Sequence, residues 1–152
     1  MYRLIPESYL LLSLVIVPFI GCVIAACMPA DARNRESLLA GGVALYGLVV
    51  SAFLYQEVGT GDIVRYQAAW LPMQGVDFVL RMDGLAWLFV MLVLGVGLLV
   101  VLYARYYMSP EDPVPRFFAF LLAFMGSMLG VVLSGNLIQL VVFWEPVSYT
   151  HL

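Results

Sequence analysis

Residues 117–145, FFAFLLAFMGSMLGVVLSGNLIQLVVFWE, carry no charge until their last position. The 28 residues between Arg116 and Glu145 would make one α-helix about 42 Å long, against a bilayer hydrocarbon core of about 30 Å. A stretch this apolar belongs in a membrane, and at this length it must break. Ser134-Gly135-Asn136 supplies the break, because glycine suits the position just past a helix end and asparagine caps the next helix. The pattern predicts helix 4 over about 117–133 and helix 5 over 136–145.

The rest of the chain reads the same way. Of 152 residues, 64% are hydrophobic and 11% charged, and the mean hydropathy is +1.00, outside the range of water-soluble domains. Three further uncharged runs, Glu7 to Asp31, Glu36 to Glu57 and Asp83 to Arg105, predict helices over about 8–28, 37–56 and 84–104. Pro18 falls inside the first, where it bends the helix and bundle neighbours can satisfy the freed carbonyl. Ile24-Ala25-Ala26-Cys27 has the outline of a lipobox, but the weakly basic start and the three later spans favour a retained helix.

Charge and cysteine content exclude other classes. The net charge is −3 and all seven basic residues are arginines without a patch, so no nucleic-acid partner is expected. Cys22 and Cys27 fit no metal motif, and no metal or cofactor is expected. Arg33, Arg35, Arg105 and Arg116 sit in two short loops, which by the positive-inside rule puts the amino terminus outside.

Residues 63–82 depart from the helical pattern. Val64, Tyr66, Ala68 and Trp70 alternate with Arg65, Gln67 and Ala69, and Val76, Phe78, Leu80 and Met82 alternate with Asp77, Val79 and Arg81, around Leu71-Pro72-Met73-Gln74-Gly75. Period two on both sides of a Pro/Gly turn predicts a β-hairpin on the membrane surface. The expected fold class is an all-α membrane protein, a polytopic helical bundle of four spans plus a truncated fifth, with this hairpin between helices 2 and 3. Gly126, Gly130 and Ser134 recur every four residues along helix 4 and mark a helix-packing face, as do Gly47 and Ser51 in helix 2.

Glu145 is chemically out of place. Nine residues into a helix starting at Asn136, it lies about 13 Å along the axis, near the midplane. A charge there costs at least about 2.5–3.5 kcal/mol, so it is rarely retained without a polar interior or a partner. Three roles fit: a proton or ion relay, a packing carboxylate, or a residue brought near water.

Leu80-Arg81-Met82-Asp83-Gly84-Leu85-Ala86-Trp87-Leu88-Phe89, Leu102-Tyr103-Ala104-Arg105-Tyr106-Tyr107 and above all 117–145 resemble the A subunit of the multisubunit Mrp (Pha, Sha) cation/proton antiporters. The resemblance is loose before Trp70 and specific after it. It implies an amino-terminal portion of a longer secondary-transporter subunit in a bacterial inner membrane, partnered by other antiporter subunits, lipid, protons and Na+ or K+. It also implies that Glu145 is an ion/proton relay working with a lysine two helices further on; this chain contains no lysine. Gly135 departs from the family, where many members carry an acid, so no cation site is assigned to that turn. The alternatives are a proton-pumping subunit of a respiratory NADH-quinone oxidoreductase, part of a redox-driven translocase, and a non-conducting scaffold. Pro146 to Leu152 read as a translated sequencing adapter, which leaves His151 without a role.

Overall fold

The structure, a computed structural model, describes residues 6–29, 31, 33–109 and 111–149. The last three residues, including His151, lie outside the described residues, as does Arg3. Among the described residues five helices and one hairpin follow in the order α1 (Glu7–Ala26), α2 (Arg33–Val58), β1 (Val64–Leu71), β2 (Val76–Met82), α3 (Gly84–Tyr107), α4 (Val114–Leu133) and α5 (Leu137–Tyr149). The first four helices are long and apolar enough to cross a membrane, and α5 is a shorter apolar helix.

Burial patterns place the helices relative to one another. α4 buries residues over much of its circumference, from Val114 and Phe118 through Met125, Gly126 and Ser127 to Leu133, and so sits centrally. α3 buries only the stripe Val90, Leu94, Gly97, Val101 and Ala104, spaced three or four apart, and lies at the edge with one face inward. α1 packs chiefly on α4 and α2 chiefly on α3.

Helix ends follow local chemistry. Pro6 precedes α1, and Glu7 in its first turn complements the amino-terminal dipole. The Asp83 side chain caps α3 by accepting from the Ala86 amide at 2.9 Å. α4 begins at Val114, three residues before the expected start, with Pro115 in a first turn that needs no proline N–H. α2 also starts earlier than expected, at Arg33, so Arg33, Arg35 and Glu36 are helical; charge limits an apolar run but does not end a helix. α5 continues through Pro146 to Tyr149, because proline's fixed φ is helical and one missing hydrogen bond does not unwind the helix.

The hairpin is antiparallel, with Val64 opposite Met82, Tyr66 opposite Leu80 and Ala68 opposite Phe78, and an irregularity between Ala69 and Leu71. Its turn is one 3-10 turn over Pro72–Gln74 closed by Gly75 at φ 68°, a left-handed conformation that glycine adopts without strain. The inward face carries Tyr66 and Phe78, whose ring centroids are 6.4 Å apart. Tyr9 of α1 meets Tyr66 at 6.1 Å and Phe143 of α5 meets Phe78 at 6.3 Å, so one aromatic row ties the hairpin to both helices.

Candidate functional site

The candidate site is α5 and the turn that launches it. Ser134 ends α4, and from there to Gln139 the chain runs along the outer edge of β2. Ser134 forms an isolated bridge with Leu80, and the Gly135 amide donates to the Val79 carbonyl at 2.8 Å. Asn136 serves both structures at once: its Oδ1 accepts from the Gln139 amide at 2.7 Å, capping α5, and its Nδ2 donates to the Asp77 carbonyl at 2.8 Å. Gln139 completes the clamp, its Oε1 accepting from the Val79 amide at 2.8 Å. Edge groups of β2 that would otherwise seek water or another strand are thus satisfied by the start of α5.

This arrangement explains Gly135. A Cβ there would run into the Val79 side chain and come within 3.1 Å of its carbonyl oxygen, so a side chain would force the turn off the strand. It also gives Gln139 a role that the hydropathy reading did not assign, although a lone amide in an apolar helix was its signal. Gln139 is fully buried, and its Nε2 has no partner among the described residues. Gln139→Leu should leave the partly buried Val79 amide without its acceptor, at a cost of about 1 kcal/mol. The check is amide hydrogen exchange, in which Val79 should lose protection while mid-α3 amides keep theirs; unchanged protection at Val79 would show that the clamp does not depend on Gln139.

Beyond the clamp, α5 has two faces. Gln139 and Phe143 point inward, and the Phe143 ring occupies the space above Gly130 that a side chain there would need. Gly126 similarly receives the Phe19 ring of α1, which a Cβ would approach to 3.0 Å. The Ser134 hydroxyl donates to the Gly130 carbonyl at the end of α4. The small residues of α4 therefore admit aromatic rings from two neighbours. In α2, Gly47 admits the Leu94 side chain of α3, and the neighbouring Ser51 carbonyl accepts from Trp87 Nε1 at 2.8 Å.

Glu145 lies on the other face. It is exposed, together with Leu137, Ile138, Val141, Val142 and Trp144. Among the described residues no hydrogen bond or ion pair reaches its carboxylate, the Asn136 and Gln139 side chains being engaged in the clamp. What the geometry provides is one carboxylate on an apolar helix face that no other described element covers. Among the described residues no group of three His, Cys, Asp or Glu could hold a metal ion.

A family model described as the N-terminus of NADH-ubiquinone oxidoreductase (complex I) chain 5 matches residues 70–118. A probable K+/H+ antiporter A/B subunit of Rhizobium meliloti is 57% identical over 139 residues, covering 91% of this chain and 14% of the relative. The A subunit of the Na+/H+ antiporter of Alkalihalophilus pseudofirmus is 48% identical over 90 residues, covering 59% of this chain and 11% of the relative. Among solved structures, the Mrp complex of Dietzia sp. aligns with a TM-score of 0.69 at 27% identity, over 96% of this chain and 15% of that one. A chain of the archaeal membrane-bound sulfane sulfur reductase aligns with a TM-score of 0.75 at 23% identity, over 90% of this chain and 21% of that one, a likeness of fold. With its four helices of spanning length, this is a multi-pass membrane protein, spanning about a seventh or less of the length of these curated relatives.

Proposed function

We propose that this chain, similar in sequence to the A subunits of cation/proton antiporters, forms part of such a subunit, exchanging Na+ or K+ for protons within a multisubunit membrane complex. The 57% identity to the Rhizobium meliloti protein along 91% of the chain carries this reading. Glu145 is its relay carboxylate. The uncovered face of α5 supports that role, because a charge on an apolar helix is retained when later helices or water enclose it. The lysine expected to work with it belongs to a helix beyond this chain. The partners are the other subunits of the complex, the lipid bilayer, protons and the exchanged cation.

Two rivals share the fold. The complex I family model over residues 70–118 favours a redox-driven pump. The curated relatives at 46–57% identity are instead named as antiporter subunits, which favours secondary transport. A scaffold without conduction is the third reading. The positive-inside rule supports an orientation in a bacterial inner membrane with Arg33 and Arg35 at the start of α2, Arg105 near the end of α3 and Arg116 near the start of α4 on the cytoplasmic side, and the amino terminus and the hairpin outside.

The test starts from the gene read through codon 146 in unassembled sequence, where helix 5 should continue and a lysine-bearing helix follow, with residues 146–152 replaced. Expressed with its partner subunits in cells lacking their own antiporters, the complete protein should let everted vesicles release an imposed proton gradient when Na+ or K+ is added. An assembled complex that releases none overturns the reading, and a gradient built on NADH would transfer the chain to the redox-driven class.

A further inference from the structure

Glu36 has a setting that no other carboxylate among the described residues shares. It is 0% exposed, and neither side-chain oxygen has a hydrogen-bond partner. It sits in the first turn of α2, on the buried face that continues through Ala40, Val43 and Ala44. The α1–α2 and α3–α4 turns meet at this end of the bundle, where Ala25, Ala104, Val114 and Phe118 are also buried. The buried residues at this end are apolar apart from Glu36 and Ser37, and the Ser37 hydroxyl donates to the Asn34 carbonyl rather than to Glu36.

Arg33 is the cation best placed to compensate it, three residues earlier on the same helix, a spacing at which oppositely charged side chains meet. It is engaged elsewhere: its Nη1 donates to the Met108 carbonyl at 2.9 Å, just past the end of α3. The other ionisable groups of this end are also turned away. Asp31 and Arg35 are exposed, Arg105 lies over the Tyr106 ring at 5.8 Å, and Arg116 lies over the Phe120 ring at 5.5 Å. Asp112 accepts from the Ser109 amide at 2.7 Å, Glu111 and Cys27 are exposed, and the Cys22 thiol of α1 carries no cation. The hairpin and its charges pack at the opposite end.

An ionised carboxylate enclosed without a partner is strongly disfavoured, and such a group neutralises or finds a cation. We propose that Glu36 is a proton-binding site, loaded while Arg33 holds the Met108 carbonyl and emptied when Arg33 turns back to pair with it. On emptying, the O–H bond breaks, the proton leaves to water at the inter-helix turns, and the guanidinium takes over the charge balance. The exchange links proton occupancy to the tether between α2 and the end of α3. It stands apart from the role proposed for Glu145, which lies on another helix.

Infrared spectroscopy of the full chain in lipid bilayers, titrated with pH, reads the carboxyl directly. The C=O stretch of a protonated carboxyl should persist at neutral pH in the unaltered chain and vanish in Glu36→Gln. Arg33→Gln should move the midpoint at which that band disappears upward by roughly 1–3 pH units, the size of effect an opposite charge has on a neighbouring carboxyl. A band unchanged in Glu36→Gln, or a midpoint unmoved in Arg33→Gln, overturns the proposal. Should Arg33→Gln fail to fold, Arg33→Lys, which keeps the charge on a different head group, should hold the midpoint near its original place, and a shift as large as that expected for Gln overturns it. Glu36→Leu should melt no lower than the unaltered chain, since a neutral carboxyl without partners loses no bond; a marked drop overturns the neutral state.

Discussion

Glu145→Gln in the complete complex is expected to reduce cation-driven proton release to the background of vesicles without the antiporter, with the complex assembled in normal yield. Glutamine keeps the shape and hydrogen-bonding reach of glutamate but cannot bind and release a proton. The substitution also removes an intramembrane charge that costs at least about 2.5–3.5 kcal/mol when it lacks a polar setting, so stability should hold or rise. Because Glu145 faces away from α4 and takes part in none of the clamp on the hairpin, packing gives no second reason for activity to fall. Everted-vesicle fluorescence alongside native gel analysis separates the two readouts. Normal exchange by Glu145→Gln would remove the relay role and favour a scaffold.

Gly130→Leu should destabilise the bundle by about 1–3 kcal/mol, the usual cost of overfilling a packed site, with further loss wherever α5 cannot shift. The Phe143 ring already fills the space a side chain would enter, and Phe143 cannot retreat freely because it packs against Phe78 of the hairpin. Displacing the ring therefore strains α5 and β2 together. Gly42→Ala is the control, since nothing lies within 4 Å of a Cβ there. Removing a glycine from that helix interior should stabilise by about 0.5–1 kcal/mol. Thermal melting in one detergent compares the two, and similar melting of Gly130→Leu and the unaltered chain would show that α5 does not depend on this contact.

The crossings and the hairpin are legible because lipid imposes a length on uncharged runs and a pleated strand imposes a period of two. The inward faces are not. From Gly84 to Leu102 every residue of α3 is apolar or glycine, so nothing in the pattern distinguishes Val90 and Leu94, which are buried, from Leu92 and Val96, which are exposed. In lipid both faces are apolar, and selection against exposed hydrophobes, the usual source of a pattern, is absent. Glu36 escapes the pattern for a related reason: it bounds an uncharged run and so resembles the edge of a loop, whereas the helix extends past it and encloses it. The Ser134-Gly135-Asn136 break is readable as a helix end, but its pairing with β2 depends on residues more than fifty positions earlier. Contacts at that separation leave no local trace.

The pairing of α1 with α4 and of α2 with α3 also sets the order in which the protein can be made. A ribosome delivers α2 and α3 nearly together, so that pair can form while synthesis continues. α1 emerges first and yet must wait for α4, holding Leu11, Leu14 and Val15 against lipid or the insertion machinery until its partner arrives. The hairpin waits longer still, because the strand edge closed by Gly135, Asn136 and Gln139 stays open until α5 is translated. The pairings are therefore nested in sequence, α2 with α3 first and α1 with α4 after, and a pause in translation before α4 would prolong the interval in which the hairpin edge and α1 both lack these partners.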